Sequence, residues 1–265
     1  MRQRAGDTAQ GYREAGNGVV SVHERKTERV KSKQDTLRVL VVADLVEPQL
    51  YNCDVADWLA PVDLVVSCGD LPPNYLDFLV TVLGAPMVHV LGNHCYVPHD
   101  PMTNQCSSGD YPGAYNLAGK VVSFSKPGVG RPLLLAGLEG SPRYNNGPHQ
   151  YTEQQVAWNL SKLVPGLLLN KVKEGRYLDI LVTHTPPRGI HDYSDVAHRG
   201  FESLLPFIER FKPTVLVHGH SHRYDPMLPT RTTYRGTEVI NAYGHVVLEL
   251  TASDAPGSGW QVLRA

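Results

Sequence analysis

Residues 214–222 read TVLVHGHSH, an apolar run that breaks abruptly into three histidines at alternate positions. A short Val- and Leu-rich run of this kind suits a strand buried on both faces. The same design recurs upstream in LRVLVV (37–42), VDLVVS (62–67), APMVHVL (85–91), LLLAGL (133–138) and LDILVT (178–183). The residues at the ends of these runs carry the information. The first run leads to Asp44, the second to Asp70, the third to Asn93-His94, the fifth to His184, and the last to His220 and His222. Layered α/β folds assemble ligand sites at the carboxyl ends of their strands. Oxygen and imidazole groups without thiolates select a hard or borderline ion such as Mn, Fe or Zn.

Between these runs the pattern predicts helices near 49–59, near 73–83 and near 203–212. A further helix is announced by Thr152-x-x-Gln155, a capping-box pattern, with Val156, Leu160 and Leu163 on one face and Pro165 as its stop. Late runs at 238–242 and 244–250 look like a hairpin turning at Tyr243-Gly244. Alternating strands and helices without an internal repeat predict a layered α/β domain of mixed sheets.

Composition narrows the function classes. Of 265 residues, 42% are hydrophobic and 19% charged, the balance of an ordinary globular chain. A net charge of -1 offers no general attraction to nucleic acid or an anionic membrane, so an anionic substrate has to be held locally. No apolar stretch is long enough for a membrane span, and the amino terminus lacks the apolar segment of a signal peptide. Cys53, Cys68, Cys95 and Cys106 show no Cys-x-x-Cys pair, which fits reduced thiols and a cytoplasmic location. Residues 1–36 mix basic residues with Gly, Gln and acids, and read as a disordered basic tail before a domain at 37–265.

The ordered set Asp44, Gly69-Asp70, Gly92-Asn93-His94, His184 and Gly219-His220-Ser221-His222 resembles the calcineurin-like metallophosphoesterase superfamily. The resemblance implies a four-layer αββα sandwich of two mixed β-sheets flanked by helices, the metallo-dependent phosphatase fold. It implies two divalent metal ions: Asp70 bridges them, Asn93, His184 and His220 complete the second, and Asp44 and His222 hold the first. His94 is by the same resemblance a proton donor near the leaving oxygen, and His218 is the end of a buried strand. The implied activity is hydrolysis of a phosphate mono- or diester by a metal-bound hydroxide, since two ions about 3.5–4 Å apart clamp phosphoryl oxygens and acidify a water.

Two positions depart from the family pattern. Val46 stands where Asp-x-His usually supplies a histidine, so the first metal site is one ligand short. Glu47 turning inward, a water or a residue from elsewhere filling the gap, and a weakly bound first ion are the competing readings; a weakened or water-completed site is the expectation. Cys95 stands where the family has a carboxylate after Gly-Asn-His, and packing is its expected role.

The polar loop after His184 contributes His191 and His198, and the Gly140–Asn146 stretch contributes Arg143, as candidate substrate contacts. Two functions therefore compete. One is a metal-dependent phosphoesterase acting on a small or macromolecular ester. The other is a degenerate member that binds a phosphorylated ligand or partner without turnover. The retained His94 favours the first.

Overall fold

A computed structural model describes residues 35–59, 61–94, 114–145, 147–222, 227, 229–253 and 259–265. In chain order the first strands and helices are β1 (Thr36–Ala43), α1 (Val55–Trp58), β2 (Leu64–Ser67), α2 (Pro73–Leu83), β3 (Met87–His89), β4 (Ala114–Asn116) and β5 (Val121–Phe124). The middle holds β6 (Leu133–Leu138), β7 (Ser141–Pro142), β8 (Gln150–Tyr151), α3 (Glu153–Glu174), β9 (Ile180–Thr183) and α4 (Leu204–Phe211). The chain continues with β10 (Val215–His218), β11 (Arg231–Tyr234), β12 (Thr237–Asn241), β13 (Gly244–Ala252) and β14 (Trp260–Arg264).

Two six-stranded mixed sheets result. The first runs β14-β13-β1-β2-β3-β4 and the second β11-β12-β10-β9-β6-β5. In the first, β1 to β4 are parallel and β13 runs antiparallel to β1. In the second, β6, β9, β10 and β12 are parallel.

Side-chain alternation builds the layers. Val39 and Val41 of β1 face Val215 and Val217 of β10 and Ile180 and Val182 of β9 in one apolar core between the sheets. Leu40 and Val42 point the other way, beneath Val55 of α1 and Leu76 and Leu79 of α2. Leu181 and Leu216 likewise turn to Val156, Leu160 and Leu163 of α3 and Leu204 and Ile208 of α4. The expected αββα sandwich is the architecture found.

Three local expectations are corrected. Pro165 does not stop α3, which continues to Glu174. A capping box at Thr152 starts it and burial of Leu167 carries it past the proline, offsetting a cost of about 3 kcal/mol. Gly175, in the left-handed conformation, ends it. The region 49–59 forms turns and only a four-residue helix. Finally, β12 and β13 are not a hairpin. β12 pairs with β10 in the second sheet and β13 with β1 in the first, so residues 242–243 cross between sheets. Residues 1–34 of the expected tail lie outside the described residues, and Thr36 already belongs to β1.

Candidate metal centre

The carboxyl ends of β1, β2 and β3 in one sheet meet those of β9 and β10 in the other. Hydrogen bonds join the sheets there. His220 N donates to Asp44 Oδ2 at 2.9 Å, and His184 Nδ1 lies 2.8 Å from the carbonyl oxygen of Cys68. Asp44, Asp70 and His220 all hold positive φ, at 62°, 55° and 66°. Non-glycine residues in that region cost roughly 1–3 kcal/mol each and cluster where function demands a particular side-chain direction. At two positions the close approach requires glycine. A Cβ on Gly92 would fall on Asp70 Oδ1, and one on Gly219 would fall on Asp44 Oδ2.

Around His184 the polar atoms converge. Its Nε2 stands 3.0 Å from Asn93 Oδ1 and 3.3 Å from Asp70 Oδ2. Asp44, Asp70 and His184 each direct a ligand atom to a point where all three lie within 4.8 Å of one another. The His184 and His220 rings are 4.8 Å apart, centre to centre. His220 Nε2 is 2.7 Å from the Ala197 carbonyl, which leaves Nδ1 as that ring's remaining nitrogen. Asp70 is held from behind, its Oδ1 accepting the His94 amide at 2.9 Å.

Burial sets the charges. Desolvation pushes the Asp44 carboxyl up to about 7 despite the opposing field of His184. Desolvation also works against ionised Asp70, but His184 and the His94 amide outweigh it and hold the carboxyl below its ordinary value. His184, although burial opposes its charge, is raised to about 9 by Asp70 and Asp44. His220 is pushed down to about 3 by burial and by the field of His184, and stays neutral. Burial lowers His222 as well. The centre is a concentrated, desolvated pair of carboxylates with one imidazole between them.

The comparisons with known proteins agree with this geometry. The calcineurin-like phosphoesterase family model matches residues 37–224, which carry every strand end of the site. The chain belongs to the calcineurin-like phosphoesterase family. A UPF0046 protein of Caenorhabditis elegans is 27% identical over 216 residues, covering 74% of this chain and 67% of that protein. The solved structure of TT1561 from Thermus thermophilus superposes with a TM-score of 0.50 at 13% identity, over 79% of this chain and 90% of that one, which reflects a shared fold.

In this calcineurin-like phosphoesterase the Asp44–His222 side is looser than the His184 side. His222 Nε2 lies 4.0 Å from Asp44 Oδ1, an atom that is buried with no hydrogen-bond donor among the described residues. Val46 joins the apolar cluster beneath α1 and α2. The Glu47 carboxylate is taken by His245 Nδ1 and by Gln49 Nε2 at 3.2 Å, so it does not replace the missing histidine.

The remaining candidates separate clearly. His94 has an exposed side chain on a main chain pinned to Asp70. His198 sits against the centre, its ring 5.2 Å from that of His220 and 6.1 Å from that of His222. His191 is bonded on both sides, to His218 Nε2 at 3.0 Å and to Thr232 Oγ1 at 2.8 Å. Arg143 donates from Nη2 to Gln155 Oε1 at 3.2 Å, beside Tyr144, which contacts Asn93. Cys95 lies outside the described residues. Sequence reading missed the supports: Tyr144 Oη, which accepts from Asn93 Nδ2 at 3.1 Å, and the backbone carbonyls of Cys68 and Ala197. A tyrosine shortly after a ligand-facing loop was readable; a carbonyl carries no side-chain signal.

Proposed function

We propose that this protein hydrolyses a phosphate mono- or diester with divalent metal ions, Mn, Fe or Zn, bound at the Asp44–Asp70–His184 centre. The observation that carries the reading is the His184 environment. With Nδ1 on the Cys68 carbonyl, the neutral ring turns an Nε2 lone pair towards the oxygens of Asn93 and Asp70. Three electron-rich atoms do not face one another in a buried site unless a proton or a cation lies among them. The unpartnered Asp44 Oδ1 adds a fourth such atom.

On this reading Asp70, Asn93, His184 and His220 would hold one ion tightly, and Asp44 and His222, sharing Asp70, would hold a weaker one. Such ions supply positive charge to the phosphoryl oxygens and bring the pKa of a bound water towards neutral. The chain's own groups do the rest. The Cys68 and Ala197 carbonyls fix ring orientation at His184 and His220, the kind of support whose loss typically costs about 10–100-fold in affinity or activity. His94, held at its amide, offers an exposed imidazole to protonate the departing oxygen, worth roughly 100-fold or more. A cavity of about 180 Å³ beside His222, lined by Tyr193, Ser221, Thr230 and Asn241, gives room for the organic part of the ester. His191 lines the same cavity, with both ring nitrogens bonded within the protein, and Arg143 has its Nη2 on Gln155. A cytoplasmic location belongs to the same proposal and is supported by the free thiols of Cys53 and Cys68. No helix among the described residues is long and apolar enough to cross a membrane.

The test is hydrolysis of p-nitrophenyl phosphate and bis-p-nitrophenyl phosphate by metal-stripped protein during Mn and Zn titration. Saturable turnover, lost in His94→Ala and His220→Ala, is the expected result. Clear metal binding without turnover of either ester would favour a non-catalytic binder instead.

A further inference from the structure

The histidines of this protein fall into two groups by how their nitrogens are used. His218 and His191 have both ring nitrogens committed within the protein. His184 and His220 each have one nitrogen held by an oxygen outside the centre, Cys68 O and Ala197 O, and the other left to the centre. His198 follows the second pattern. Its Nδ1 is 2.9 Å from Asp195 Oδ1, and Asp195 is itself steadied by the amides of Ala197 and His198 at 3.1 Å. A carboxylate on one nitrogen places the proton there and leaves the other as a lone pair, the arrangement that orients metal-binding histidines.

Its position matches a gap. The His198 ring packs against those of both His220 and His222. Two imidazoles on one tetrahedral ion, with metal–nitrogen bonds of about 2.0–2.1 Å, keep their ring centres roughly 5 Å apart. The separation that bears on a shared ion is the 6.1 Å from His222, a little wider than that, while the 5.2 Å contact with His220 sets the ring at the border of the neighbouring site. The His184 side already has Asp70, Asn93, His184 and His220. The Asp44–His222 side lacks the histidine that Val46 displaced, and Glu47 is committed to His245. One more imidazole is surplus on the first side and needed on the second.

We propose that His198, oriented by Asp195, replaces the histidine missing at Val46 as a ligand of the weaker metal ion. The gap in the Asp-x-Val motif is thereby filled from the loop after β9. The inference rests on the metal-centre reading above, and metal stoichiometry separates the two.

The experiment is calorimetric titration of the metal-stripped full-length protein with Mn and with Zn, without substrate. Wild type is expected to bind two ions with distinct affinities. His198→Ala should keep the tight ion and lose the weaker one. Asp195→Asn, which preserves shape but removes the orienting charge, should weaken that second ion by about 10–100-fold. Circular dichroism and thermal unfolding of the metal-free variants check that each is folded. A His198→Ala protein that still binds two ions with unchanged affinities overturns the proposal, as does a wild type that binds only one ion. Wild type that binds no ion overturns the metal-centre reading as well. If His198→Ala loses affinity for inorganic phosphate while both ions stay, His198 is a substrate contact and not a ligand.

Discussion

His184 Nδ1 lies 2.8 Å from the Cys68 carbonyl oxygen, so the second sheet's site histidine is oriented by the backbone of the first. The contact assigns the ring's proton to Nδ1 and directs Nε2 at Asn93 and Asp70. In the metal-free protein that nitrogen takes a proton too, which is why the imidazolium persists to about 9.

Metal binding has to displace that second proton. At pH 8 His184 is still protonated before loading, whereas Asp44, near 7, is largely ionised. Uptake of the tight ion at pH 8 should therefore release about one proton, a count that falls towards zero above pH 10. Calorimetry in buffers of differing ionisation enthalpy measures the number directly. Binding enthalpies that do not depend on the buffer would contradict this account of the centre.

The metal-free fold should lose stability on both sides of about pH 6.5. Burial lowers His191 to about 4, and His218 and His220 to about 3, from 6.5. Their folded values lie below the unfolded ones, so their contribution is present above 6.5 and lost as pH falls towards 3–4. His184 and Asp44 are raised, with the opposite sign. For His184 the contribution is complete below 6.5 and disappears as pH climbs through about 9, which makes the alkaline limb, whereas that of Asp44 is lost between 3.8 and about 7 and offsets part of the acid limb. Thermal unfolding of stripped protein from pH 4 to 10 tests both limbs, and saturating metal should flatten the alkaline one.

Gly92→Ala should abolish tight metal binding while leaving a folded chain. The added methyl competes for the space of Asp70 Oδ1, so either the carboxylate or the loop has to move. A cost of about 1–3 kcal/mol is expected for overpacking of this kind, small enough for a cooperative melt to survive. Retention of wild-type metal affinity would show that the loop adjusts and that Asp70 is not critically placed.

His191→Ala should act on stability rather than on the metal centre. It leaves His218 Nε2 and Thr232 Oγ1 without their present partner in a part-buried setting. Each unsatisfied group costs about 1–3 kcal/mol, so a clear drop in melting temperature is expected with unchanged metal stoichiometry. A variant with wild-type stability and a changed KM would instead make His191 a substrate contact.

The strands that carry the site were legible because parallel strands between two layers are apolar without interruption, and their polar stops stand out. Pro165 was misleading because a local helix breaker was weighed without the leucines that pin α3 to the second sheet. The 238–250 region failed for another reason. A short break between two apolar runs looks the same whether the chain turns back or steps to another sheet, and only tertiary pairing distinguishes them. The half-exposed strands β4, β5 and β11 escaped notice because they lack a continuous apolar run. At the site, side chains announced themselves, but the carbonyls of Cys68 and Ala197 could not, since every residue has one.

The crossing at residues 242–243 has a consequence for how the molecule is made. β1 opens the domain, yet its outer neighbour is β13, with Thr36 opposite Thr251 and Ala43 opposite Gly244. During synthesis β1 must wait for β13, about 200 residues later, before both of its edges are covered. Pairings so distant in sequence slow folding and leave strand edges open to other chains in the meantime. A chain cut at residue 224 would retain every metal-binding candidate and still lack the strand that closes β1.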